Sequence, residues 1–354
     1  MKLFINARFL TQPISGVQRY GIECSLQIKK LYPETIFLTP HNILHTDVAK
    51  ALDAKVVGTR TGHKWEQLDL PSFLRKNGNA PLLNLANTAP LFYGNNYITI
   101  HDLAFFHHPD WNSKAFSTWY NFLIPRLARR SKYIFTVSET VKAEIVNNYR
   151  VSASKIGITY NGISGDWLQW QGGTAKEKIV LSVGTFSIRK NQQMLVKAFL
   201  QSEVRKTHRL VLIGDKNKVF AESGINENDL QQNNITVLQK VSGDELAAIY
   251  ARAEIVVSLS EYEGFGIPML EGLFFGCKIL CSDISVYREL FSDVAAFCPP
   301  KDVNSIVGAL EQLTVNSHFP DPNVVKAMLA KYNYAASAQT IVEKVSSLQN
   351  AGNK

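Results

Sequence analysis

Short apolar runs separated by stretches of helical spacing recur in both halves of the chain, and few folds accept that pattern. In the first half Lys2–Asn6, Thr35–Leu38, Tyr97–His101 and Tyr133–Val137 have strand length. Ser113–Ala128 and Thr140–Tyr149 place apolar residues at helical spacing, with Ser138 predicted to cap the second. In the second half Lys178–Val183, Arg209–Ile213, Ile235–Leu238, Ile255–Leu259 and Lys278–Cys281 read as strands. Helices are predicted there over Asn191–Leu200, Gly243–Ala251 and Pro268–Phe275. Strands alternating with helices predict parallel sheets, because a parallel connection requires a crossover. Two such series in 354 residues fit two doubly wound α/β domains better than one core. Asn-Gly and Gly-Asp fall close together near Asn161–Gln171, with Gly-Gly just beyond, and mark the join. The predicted domains are 1–165 and 166–334, with a helix of Ala335–Leu348 in a tail over 335–354. In such folds ligands bind beyond the carboxyl ends of the strands, so the loops after strands hold the chemistry.

Composition narrows the class. Hydrophobic residues make up 45% and charged residues 19%, the balance of a folded globular chain. No apolar run reaches the roughly 18 residues of a membrane-spanning helix, and the N-terminus is too short in apolar residues for a signal peptide. Cys24, Cys277, Cys281 and Cys298 show no C-x-x-C spacing and are expected to be buried thiols of a cytoplasmic protein. Net charge is +8, and all the excess lies in the first half, +9 over residues 1–165 against −1 over the rest. A one-sided positive field suits an anionic partner such as nucleic acid, a phosphorylated lipid or a membrane surface, or it serves solubility alone.

Among the loops, Glu261-Tyr262-Glu263-Gly264-Phe265-Gly266-Ile267-Pro268-Met269-Leu270-Glu271 follows the strand Ile255–Leu259. Pro268 suits the first turn of a helix, and Gly264 and Gly266 let backbone amides approach a ligand at a phosphate-accepting helix N-terminus. Glu263 in the loop and Glu271, read as first-turn, are suited to sugar and ribose hydroxyls beside that phosphate, whereas a single Glu there could equally be a solvated residue favoured by the helix dipole. Val183-Gly184-Thr185-Phe186-Ser187-Ile188-Arg189-Lys190-Asn191 also follows a strand, and Arg189 with Lys190 can neutralise a diphosphate leaving group without a metal, or simply face water. In the first half His101 and Asp102 end a strand. His101 can donate to a substrate hydroxyl or carbonyl and Asp102 can orient it, or both are structural. Ser15-Gly16-Val17-Gln18-Arg19-Tyr20 leads a loop into a helix, and Gly16 there admits a phosphate or is an ordinary turn glycine. No D-x-D follows a strand, no His/Cys cluster has metal spacing, and neither G-x-G-x-x-G after the first strand, G-x-S-x-G nor a P-loop is present, so metal catalysis and nicotinamide binding lose ground.

Taken in order, these motifs resemble glycosyltransferase family 4, retaining enzymes of the GT-B fold, over nearly the whole chain. The family's E-x7-E looks like Glu263 to Glu271, and its His-Asp looks like His101-Asp102, followed by His108-Pro109-Asp110. Val137-Ser138-Glu139, Tyr160-Asn161-Gly162-Ile163 and Gly184-Thr185 through Arg189-Lys190-Asn191 are similar as well. The opening Gly16-Val17-Gln18-Arg19-Tyr20 is most like bacterial mannosyl- and rhamnosyltransferases of surface polysaccharide assembly. The resemblance implies two Rossmann-like domains facing a central cleft and a metal-independent hexosyltransferase with no cofactor. It implies that Glu271 binds the donor ribose, that Glu263 and the amides of Gly264, Phe265 and Gly266 hold the transferred sugar, and that Arg189 and Lys190 bind the diphosphate. Gly16 would close over that diphosphate and His101 would lie by the anomeric carbon. Two departures bear on the phosphate contacts: many relatives have Pro where Ile188 stands, and some have Arg where Thr185 stands.

The resemblance further implies that the N-terminal domain meets the acceptor, with Asp102 and Arg19 on that side. GDP-mannose is the favoured donor, with dTDP-rhamnose or a UDP-hexose behind it, and the acceptor is an oligosaccharide or lipid-linked glycan. The basic domain would then touch the inner membrane through Trp119–Arg130, which mixes aromatics and arginines, or that helix packs on the sheet with Arg126, Arg129 and Arg130 in water. A GT-B epimerase or phosphorylase and a non-catalytic sugar-binding module are the alternatives. Nucleic acid is not an expected partner, because no basic-aromatic platform for bases is present.

Overall fold

The computed structural model describes residues 2–173, 175–214, 233–315 and 319–352. The chain divides into two compact units, Met1–Asn161 with Tyr332–Lys354, and Gly162–Lys331.

Among the described residues the first unit carries strands β1 Phe4–Asn6, β2 Ile36–Thr39, β3 Lys55–Val56, β4 Leu82–Asn84, β5 Asn96–Ile100, β6 Tyr133–Thr136 and β7 Ile156–Ile158. They form one sheet in the order β3-β2-β1-β4-β5-β6-β7, and every pairing is parallel. The second unit carries β8 Glu177–Val183, β9 Arg209–Ile213, β10 Ile235–Leu238, β11 Ala253–Ser258, β12 Lys278–Ser282 and β13 Ala295–Cys298. Their order is β10-β9-β8-β11-β12-β13, again all parallel. Helices cover both faces of such sheets, so central strands are buried on both sides and read as continuous apolar runs, as Leu210–Ile213 and Ile255–Val257 do. Each sheet reverses its order once, between β1 and β4 and between β8 and β11. Those two reversals leave crevices above the strand ends, and they position everything below.

Helix starts follow the chemistry of their caps. The Ser113 hydroxyl accepts from the Phe116 N–H at 3.3 Å to begin Lys114–Arg130, and Ser138 accepts from Val141 at 3.2 Å to begin Glu139–Tyr149. Ser242 and Glu245 form a reciprocal capping box at Gly243–Arg252. Lys114–Arg130 buries Leu123, Ile124, Leu127 and Ala128 on the sheet and leaves Phe116 and Phe122 exposed, with the Arg126 guanidinium 3.8 Å from the Phe122 ring centre.

The last helix, Tyr334–Gly352, belongs to the first unit. Ala338, Ile341, Val342 and Val345 are buried, the Ser337 hydroxyl donates to the Tyr160 carbonyl at 2.7 Å, and Gln349 Nε2 donates to the Tyr97 hydroxyl at 2.7 Å. Tyr332, where the chain returns, already packs its ring on Tyr160. The four cysteines are free and buried, and burial pushes the Cys277 thiol up to about 11 and Cys298 to about 12. No helix among the described residues is long and apolar enough to cross a membrane.

Candidate active site

In the second unit the loops leaving β8 and β11 flank the reversal of strand order. The first begins at Gly184, whose φ of +154° disfavours any side chain, and its N–H donates to the Ile213 carbonyl at 2.9 Å. Across from it stands Gly214, where a Cβ would lie 2.0 Å from the Gly184 oxygen, so the two strand ends meet backbone to backbone. Phe186 anchors the loop in the core while Thr185 stays exposed. A single turn, Ile188–Lys190, follows. Asn191 takes the left-handed conformation at φ 52°, ties its amide to the Pro300 carbonyl at 2.7 Å, and starts the helix Gln192–Gln201.

The Glu261 N–H donates to the Arg189 carbonyl at 2.9 Å and so fastens the second loop to the first. That bond sets the side chains beyond it. Lys190 Nζ donates to Glu263 Oε1, and Arg189 Nη1 lies 3.3 Å from Oε2. Burial alone would raise the Glu263 carboxyl. The Lys190 and Arg189 charges, with hydrogen bonds from Lys190 and Ser260, instead bring it down to about 2. Glu263 is therefore ionised at neutral pH and acts as a hydrogen-bond acceptor rather than a proton donor. One buried carboxylate between two partly exposed cations leaves the group with a net positive charge, suited to an anion of more than one charge.

Gly266 closes the second loop at φ +104°, and a Cβ there would lie 2.5 Å from the ring of Tyr287. Tyr287 cannot retreat, since it is buried and its hydroxyl bonds Ser258 Oγ at 2.7 Å. Pro268 then falls in the first turn of Ile267–Phe274, as its missing N–H allows. Phe265 is buried against Phe291, so its ring holds the loop and only its backbone is left for a ligand. Glu271 departs from the first-turn placement read from sequence. At 3.6 residues per turn the fifth residue lies in the second turn, where Glu271 is buried and accepts the Tyr250 hydroxyl at 2.7 Å.

In the first unit His101 is buried at the end of β5, with its ring edge on Tyr20 at 4.8 Å. Its Nε2 lies 2.8 Å from the Leu85 carbonyl, which can only accept, so Nε2 carries the proton. Burial holds the imidazole below its usual pKa despite the Leu85 bond and the nearby Asp102 charge. Neutral and protonated on Nε2, the ring offers Nδ1 as an acceptor, which corrects the expectation that it donates to substrate. Leu85, not Asp102, fixes the ring. Asp102 Oδ1 instead accepts the Ala104 N–H at 3.1 Å. Gly16 is the exposed first residue of the helix Gly16–Leu31, and Arg19 lies one turn on, next to the Tyr20 that touches His101.

Sequence reasoning missed the supports of these groups. Ser260, Tyr250 and Tyr287 come from three separate elements and carry no spacing signal, whereas Gly214, directly after the strand Arg209–Ile213, was open to notice. It also missed a charged group at the first unit's reversal. Arg8, just past β1, sets its Nε 3.1 Å from Glu66 Oε1, which also accepts from Asn6 Nδ2 at 2.9 Å and the Thr88 hydroxyl at 2.9 Å.

Comparison with known proteins bears directly on these loops. Residues 168–327 match the family model for glycosyl transferases group 1, and residues 81–167 match that for glycosyltransferase family 4. The O-antigen chain mannosyltransferase RfbU of Salmonella typhimurium is 30% identical over 68% of this chain and 67% of its own length. The chain belongs to the family 4 glycosyltransferases. The first of the two matches spans Arg189, Lys190, Glu263 and Glu271 of this glycosyltransferase, and the second spans His101 and Asp102. O-antigen chain mannosyltransferase B of Escherichia coli is 28% identical over 59% of the glycosyltransferase described here and 58% of its own length, so the match covers little more than half of that relative. Among solved structures the Anabaena protein HepE with UDP-glucose superposes with a TM-score of 0.72 at 15% identity, covering 98% of this glycosyltransferase and 99% of HepE, which shows the shared GT-B fold.

Proposed function

We propose that this glycosyltransferase moves a hexose, mannose before rhamnose or another hexose, from a nucleoside-diphosphate sugar to a growing lipid-linked glycan of a surface polysaccharide, with retention of configuration and no metal. The observation that carries the reading is the Arg189–Lys190–Glu263 group at the β8/β11 reversal. As the bond from C1 to the diphosphate oxygen breaks, negative charge develops on that oxygen, and two fixed cations stabilise it most at that moment. The acceptor hydroxyl forms its bond to C1 on the same face, and its proton passes to the departing phosphate. The ionised Glu263 and the 264–266 amides hold sugar hydroxyls. Glu271 takes the ribose while keeping Tyr250, since a carboxylate has about four acceptor positions. His101 accepts a sugar hydroxyl through Nδ1, and the exposed amide of Gly16 receives a phosphate oxygen.

Mannose stands first because both curated relatives named above are mannosyltransferases of O-antigen chains. Contact with an anionic membrane surface belongs to the same reading, supported by exposed Phe92, Phe116 and Phe122 beside Arg126 and Arg130. Protein left at the bottom of a flotation gradient with anionic vesicles at low salt removes that element.

The test is transfer in EDTA from GDP-mannose, dTDP-rhamnose and UDP-glucose to lipid-linked oligosaccharides, with the anomeric proton–carbon coupling of the product read by NMR. An α-linked product from GDP-mannose is expected. A β-linked product from GDP-mannose, loss of transfer on chelation, or sugar release that depends on added phosphate and needs no acceptor would overturn the reading.

A further inference from the structure

The first unit's reversal, between β1 and β4, is occupied by charges that the donor chemistry does not use. Asn6 and Asn84, at the ends of those two strands, bond each other side chain to side chain at 3.0 Å. Above them Glu66 gathers Arg8, Asn6 and Thr88, and its remaining oxygen Oε2 lies 3.4 Å from His63 Nδ1. The backbone makes this arrangement possible. Pro71 has no N–H to give the Gln67 carbonyl, and the helix that begins at Gly62 widens into a π-type turn over Trp65–Asp69, a distortion concentrated at functional sites.

His63 is the wet end of this group. Its side chain is 37% exposed, and with Nδ1 turned to the carboxylate its Nε2 has no hydrogen-bond partner among the described residues. Two aromatic rings of the helix Lys114–Arg130 stand edge-on to it, Trp119 at 5.9 Å and Tyr120 at 6.1 Å. The Trp119 indole N–H is buried with no partner, an unusual state for a donor that costs about 1–3 kcal/mol when left unmade. Arg8 and Glu66 cancel each other's charge, so the group offers no net field for a phosphate. Aromatic rings, stacked in turn on Phe116 and Phe122, stand beside a carboxylate-held imidazole and an unused N–H donor, a set of groups that suits a neutral, hydroxyl-rich ring.

We propose that His63, Glu66, Trp119 and Tyr120 form a subsite for a neutral pyranose of the acceptor glycan, with Arg8 holding Glu66 in place. The inference rests on the transferase reading for the word acceptor, but its site lies wholly within the first unit and can fail separately. The experiment is saturation-transfer NMR on the intact protein with methyl α-mannoside, methyl α-rhamnoside and methyl β-glucoside, for wild type, His63→Gln, Trp119→Phe and Glu263→Gln. Trp119→Phe keeps an aromatic ring but removes the N–H together with the pyrrole half of the indole, and melting midpoints check that each variant is folded. At least one glycoside is expected to bind, with affinity reduced on the order of fivefold in His63→Gln, the loss of about one hydrogen bond, by at least as much in Trp119→Phe, which also loses indole contact, and unchanged in Glu263→Gln. Binding that is lost only in Glu263→Gln places the glycoside in the donor-sugar site and overturns the subsite. Binding indifferent to all three changes, or no binding by any glycoside, overturns it too. A melting shift with a nucleoside diphosphate in the same samples reads the donor site independently, so either conclusion can fall without the other.

Discussion

Lys190→Ala is expected to lower kcat/KM by about 10³-fold, on the order of 4 kcal/mol of transition-state stabilisation, with most of the loss in kcat. The expectation follows from where the ammonium is held. Asn191 is pinned to Pro300, the Arg189 carbonyl is pinned to Glu261, and Glu263 draws the Lys190 charge to the reversal point before any donor arrives. A cation positioned in advance needs no reorganisation when the leaving phosphate gains charge, so it acts more on the transition state than on the bound ground state. Lys206→Ala removes the same charge from an exposed pair with Glu203 and is expected to leave kcat/KM unchanged. Equal, small losses in the two variants would show that Lys190 contributes only to the overall field.

The second large effect is on stability. Glu66→Ala is expected to destabilise the first unit by about 3–5 kcal/mol, because Arg8 is then a buried cation without its carboxylate. Urea unfolding followed by a probe in the first unit measures it, since the two units need not unfold together. Acid gives the matching result. Burial would raise the Glu66 carboxyl, but Arg8, His63 and Asn6 bring it from its usual 4.5 to about 2. A carboxyl whose folded pKa is depressed adds stability above the unfolded pKa and loses it as the pH falls from about 4.5 toward 2. Wild-type stability should fall through that window, and the fall should be shallower in Glu66→Gln. An identical slope in both proteins would remove Glu66 as a source.

Much of this fold was legible because parallel strands covered on both faces announce themselves as apolar runs. The strands that escaped notice are those where the cue is weak. Lys55–Val56 is a two-residue exposed edge, Leu82–Asn84 is three residues ending in a polar side chain, Ile156–Ile158 is interrupted by Gly157, and Ala295–Cys298 is rich in alanine. The donor loops were legible for a different reason. Glycine, proline and charge crowd together directly after a strand, and few structural demands produce that mixture. The position of Glu271 was misjudged by one residue, enough to carry it into the second turn, because the helix starts at Ile267 behind a Gly266 cap set by a backbone angle rather than by a residue pattern. Glu66 was invisible. Its partners Arg8, Asn6 and Thr88 lie 58, 60 and 22 residues away, and only the sheet order brings them together.

The most direct measurement is the thermal midpoint of the purified protein against GDP, UDP, dTDP, ADP and NAD, each with and without EDTA. A ligand bound only by the native state adds RT ln(1+[L]/Kd), about 2.7 kcal/mol at a hundredfold excess over Kd. The account predicts a clear rise with one nucleoside diphosphate, GDP first, that survives EDTA and disappears in Glu271→Ala. No rise with any diphosphate, or a rise with NAD alone, would contradict it.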